Sequence, residues 1–143
     1  MMHDEAIKLL KRSAKGDMQA HRCLAELAMG LGLEAVTNGD DATLPYYEAS
    51  IYARMAAASG LLPDRARLIS ILAVCSDIAR QSGDLESAEV YNAEGLALAE
   101  LVADSGDAEA SEYAAMMITN SGTNWSPDEI AMAKEFKIIW GAE

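Results

Sequence analysis

Histidine and cysteine are nearly absent from this chain, two of each in 143 residues. The scarcity removes most site chemistry at once. No Cys-x-x-C pair exists, so a structural zinc site has no ligand set. His21 and Cys23 lie two apart, a spacing that faces different sides of a helix. The acid pairs Glu86/Glu89 and Glu109/Glu112 have the i,i+3 spacing of a di-iron helix but lack its histidine. No phosphate-cradling Gly-x-x-x-x-Gly-Lys and no Gly-x-Ser-x-Gly elbow occurs. Cys23 and Cys75 sit within apolar-periodic segments and read as core. The sequence therefore leads us to expect no catalytic residue, no cofactor and no metal. An enzyme here would need a polar pocket built on Cys23, His21 or the acid pairs.

Basic residues are also missing, and unevenly. Residues 81–133 contain no lysine or arginine but 11 acids, while the whole chain carries a net charge of −12. Phosphate binding needs basic patches, so nucleic acid is not an expected partner. An anionic membrane surface is disfavoured for the same reason. Long apolar runs are lacking too. The longest charge-free apolar run, residues 68–76, is far short of the ~20 residues of a membrane span. No basic start followed by an apolar segment marks a secretory signal, so the cytoplasm is the expected location.

Alanine is abundant instead, at 27 positions, and it is the best helix former. Pro45, Pro63 and Pro127 each precede an apolar-periodic segment, as suits the first helical turn. Ser126-Pro127-Asp128-Glu129 has the spacing of a capping box. Gly16-Asp17, Gly83-Asp84 and Gly106-Asp107 read as a C-terminal glycine followed by an N-capping aspartate. Joints this short force antiparallel helix pairs. The expected helices are 4–15, 17–31, 45–59, 63–82, 85–105, 108–121 and 127–140, with one long loop at about 32–44.

Spacings recur along the chain. Gly16, Ala20, Leu24, Ala25 and Ala28 share theirs with Gly106, Ala110, Ala114, Ala115 and Ile118. Ala49, Tyr52, Ala56, Ala57 and Gly60 share theirs with Gly95, Leu98, Val102, Ala103 and Gly106. Small residues every third or fourth position let a neighbouring helix approach closely. The phrase Ala49-x-x-Tyr52-x-x-x-Ala56-Ala57-x-x-Gly60 resembles the second helix of a Sel-one-like repeat, a relative of the tetratricopeptide repeat. The stretch from Gly16 to Ala28, with Gly30-x-Gly32-Leu33 after it, resembles the first helix and its glycine loop. The segment from Trp125 to Trp140 is similar to the final capping helix of such proteins.

The resemblance implies an all-α fold, a right-handed α-solenoid of about seven antiparallel helices in a single domain. Its repeat-like units would be residues 4–31, 45–82 and 85–121, with the capping helix at 127–140. It also implies a protein that binds other proteins and does no chemistry. The expected groove runs along 17–31, 63–82 and 108–121. Tyr46, Tyr47 and Tyr91 are the expected contact aromatics, with Glu109 and Glu112 in an acidic patch that would steer a basic partner. Tyr52, Trp125, Trp140 and the methionines Met55, Met116, Met117 and Met132 read as core. The alternative is a small acidic inhibitor that masks a basic protein. Head-to-tail self-association, basic first helix to acidic C-terminal half, is a third arrangement.

Overall fold

The computed structural model describes residues 2–106, 108–109, 111–112, 115 and 125–141. Among the described residues, six helices have both ends placed, in order α1 (Met2–Ala14), α2 (Met18–Thr37), α3 (Thr43–Ala57), α4 (Leu62–Gln81), α5 (Leu85–Asp104) and α6 (Pro127–Gly141). No strand occurs among the described residues. The fold is all-α. Of the expected helix 108–121, Ala108, Glu109, Ser111, Glu112 and Ala115 are helical, and the rest lies outside the described residues.

The expected punctuation forms as read at Asp17, Asp84 and Ser126, while Asp107 lies outside the described residues. Asp17 accepts hydrogen bonds from the amides of Gln19 and Ala20, and Asp84 from that of Ser87. Ser126 Oγ accepts from Glu129 N at 3.0 Å, and Glu129 Oε1 accepts from Ser126 N at 3.2 Å. That reciprocal pair is a closed capping box.

One boundary is corrected. The expected loop at 32–44 shrinks to five residues, because α2 runs on through Gly30 and Gly32 to Thr37. Its stop is Gly39, at φ +74°, where Gly39 N bonds Val36 O and Asp40 N bonds Ala35 O. This doubly bonded exit is the same joint as at Gly16-Asp17 and Gly83-Asp84. Gly32 serves packing instead. A Cβ there would lie 2.7 Å from the ring of Tyr46, so only glycine lets α3 sit this close to α2.

Each helix packs mainly on its neighbours in the described order, α1 on α2 through α5 on α6. Helix α4 is the keel: Leu68, Ile71 and Leu72 are fully buried, each contributing about 1.5–3 kcal/mol by leaving water. Alanines flank it, Ala49, Ala53 and Ala57 from α3 and Ala99 from α5, in one continuous core with Leu98 and Val102. Trp140 packs on that core from α6. Tyr52 is half-buried against it, whereas Met55 is 38% exposed and is not core filler.

Arginines tie helices that are next but one. Arg22 of α2 holds Asp64 of α4 at 2.8 and 2.9 Å. Arg54 of α3 holds Glu94 of α5 at 2.8 to 3.1 Å. Glu94 also accepts from Trp140 Nε1 at 3.0 Å, which pins α6. Arg65 of α4 donates to the Trp140 carbonyl and lies 5.9 Å from the centre of its indole. His21 meets Ser13 Oγ at 2.7 Å, both buried, fastening α1 to α2.

Candidate functional site

Three of the five expected contact residues come together. Tyr46, Tyr47 and Tyr91 line one cleft of about 130 Å³ between α3, the end of α4 and the start of α5. Adjacent positions on a helix point about 100° apart, so Tyr46 and Tyr47 face different directions. Tyr46 turns inward and is 4% exposed; Tyr47 turns outward and is 50% exposed. Tyr46 is thus corrected from an exposed contact to a core residue that reaches the cleft from below.

The floor is Cys75, Ala79 and Tyr46, all buried. Ile78, Ser87 and Tyr91 form half-buried walls, and Thr43, Tyr47, Ser82 and Asp84 form an exposed rim. On α5, Asp84, Ser87 and Tyr91 recur at i, i+3 and i+7, which is one helix face. Just ahead of α3, Asp41 Oδ1 accepts the Thr43 amide at 2.9 Å.

The electrostatics favour binding over proton transfer. Burial pushes the Cys75 thiol up to about 11, and its Sγ points at the Tyr46 carbonyl, 3.5 Å away. At neutral pH it is a thiol, not a nucleophile. Burial also raises Tyr91 and Tyr46, with Cys75 adding to both, so the phenols stay neutral. Asp84 moves the other way. Its hydrogen bonds from Ser87 hold the carboxyl below the usual range, and it stays charged. Asp41 is lowered likewise by Thr43.

A second feature adjoins the cleft and was not singled out from the sequence. Leu44, Tyr47, Ile51 and Met55 form a stripe on the outer side of α3, exposed by 64, 50, 38 and 38%. Their spacing was visible, but exposure is a tertiary fact. Glu109 and Glu112 are exposed on helical residues and do not line the cleft. Cys23 is half-buried and Cys75 buried, both free. Among the described residues, no three His, Cys, Asp or Glu side chains gather as a metal site would need. Among them, no helix is long and apolar enough to cross a membrane. No family model, no curated protein and no solved structure matches this chain.

Proposed function

We propose that this chain is a non-catalytic protein-interaction module, a short right-handed α-solenoid related to the Sel-one-like repeats. Neighbour-on-neighbour packing supports the solenoid reading, because repeat arrays bury their cores that way. The next-but-one arginine ties fit two layers, with α2 and α4 in one and α3 and α5 in the other. One observation carries the functional reading: the tyrosine cleft continues into the exposed apolar stripe of α3 through the shared residue Tyr47. Exposed aromatics beside a small pocket are what an interface uses as anchors. The recognition surface thus lies on α3, α4 and α5 rather than along α2 and α4. Its partner is another protein with a basic segment, since Asp84 lines the cleft and no lysine or arginine does.

The test is affinity capture from the native host's lysate with wild type, Tyr47→Ala and Ile51→Glu, after circular dichroism shows equal helicity. A partner held by the wild type and lost by both variants is the expected result. A partner held equally by all three would move the surface elsewhere. The charge imbalance favours a second reading, a small acidic inhibitor that masks a basic protein. Capture that collapses with added salt and ignores both variants would select that reading.

A further inference from the structure

We infer that the tyrosine cleft is a receptor for one lysine side chain, presented by the partner of the module proposed above. Size comes first. A cavity of about 130 Å³ compares with the ~150 Å³ that houses a benzene ring, so it takes five or six heavy atoms. A lysine side chain has four methylenes and an ammonium. The lower cleft is apolar, with Ala79 and Ile78 beside the Tyr46 and Tyr91 side chains, and suits the methylenes. Aromatic rings also attract cations through their faces.

Charge selects the sign of the guest. Asp84 is the one ionised side chain in the lining. The N-termini of α3 and α5 each bring about half a positive charge to the neighbourhood. Each is already opposed by an aspartate, Asp41 on the Thr43 amide and Asp84 on the Ser87 amide. The C-terminal end of α4, at Ser82, adds about half a negative charge, and Arg80 in its last turn lies outside the lining. The balance is negative, so an anion is repelled and a cation is held.

Geometry selects ammonium over guanidinium. Asp84 already accepts from Ser87, from its hydroxyl and from its amide, the latter on Oδ1 at 3.1 Å. A guanidinium fork is best matched by two free, parallel carboxylate oxygens, whereas an ammonium is a point charge that needs one.

The test uses the whole chain and small probes, so it does not depend on finding the partner. Nα-acetyl-lysine methylamide, its arginine analogue and its norleucine analogue are titrated against the protein by two-dimensional NMR. The lysine probe is expected to shift the Tyr47 and Tyr91 rings and the amides around Ser82 and Ser87, saturating on the order of millimolar. The norleucine probe should leave them still. Asp84→Asn keeps the helix cap, because asparagine caps as well as aspartate. It should nonetheless weaken the lysine probe by about fivefold or more. Equal shifts from norleucine would make the cleft a plain apolar pocket and overturn the inference. So would tighter binding of the arginine probe, an unaffected Asp84→Asn, or silence from all three probes. Failure of the capture experiment with success here would reject the module reading alone.

Discussion

Arg22–Asp64 and Arg54–Glu94 are the same chemistry placed in two different regions. Both carboxylates are buried, with side chains 4% and 5% exposed, and both arginines are about one-third exposed or less. What surrounds them differs. Asp64 lies in the first turn of α4, where the helix dipole favours an anion, and it also accepts from Ser59 Oγ at 3.1 Å. Glu94 lies in the middle of α5, beyond the reach of either helix end, with Trp140 Nε1 as its other donor. Asp64 therefore keeps two supports if its arginine goes, and Glu94 keeps one. A buried ion pair is fragile in proportion to what remains when one partner leaves.

The comparison predicts a ranking. Arg54→Ala strands Glu94 and should cost about 3–5 kcal/mol, a drop of roughly 10 °C in Tm. It should also loosen α6, read as faster amide exchange around Trp140. Arg22→Ala should cost less, about 2 kcal/mol, because Ser59 and the helix end remain. Equal losses in urea melts of the two variants would break the comparison.

A pair of neutral changes sharpens it by removing charge from the question. Gly32→Ala drives a methyl to 2.7 Å from the buried Tyr46 ring, and overpacking should outweigh the better helix propensity by about 1 kcal/mol. Gly30→Ala meets nothing within 4 Å and should gain about 0.5–1 kcal/mol. Opposite signs two residues apart in the same helix are the expected outcome, checked by thermal melts. Matching signs would mean that Tyr46 can swing aside.

Acid titration gives the smallest effect and bears on Asp64. The Arg22 hydrogen bonds hold Asp64 below its ordinary 3.8, against the opposing pull of burial, with Ser59 helping. A depressed carboxyl stabilises the fold above its unfolded value, and that share is lost as pH falls from 3.8 through the folded value. Stability of the wild type should decline below about pH 4, and the decline should be shallower in Asp64→Asn. Identical slopes would show that Asp17, Asp41 and Asp84, which are lowered too, carry the acid response.

Much of the fold was legible because its signals are local. Ser126 and Glu129, Asp17 and Ala20, Asp84 and Ser87 all meet within one helical turn. Prolines stand in the first turns of α3, α4 and α6, as their missing amides dictate. The one misplaced boundary arose where two readings of glycine competed. Gly30-x-Gly32 was expected to be a loop, but the chain needed a smooth surface there, and Gly39-Asp40 supplied the turn. The candidate site was half legible: three of its tyrosines were singled out, while Asp84 was read as a cap and the stripe on α3 passed unnoticed.

The sequence by itself determined the helices, their caps and their antiparallel joints, because these depend on residues three or four apart. The tertiary structure decided the rest. Arg54 and Glu94 are 40 residues apart, Arg22 and Asp64 are 42, and Trp140 and Glu94 are 46. No local rule links such residues; helix packing does. That packing also turns Tyr46 inward and Tyr47 outward. It encloses the cleft between three helices, whose facing surfaces meet only when the core closes on α4.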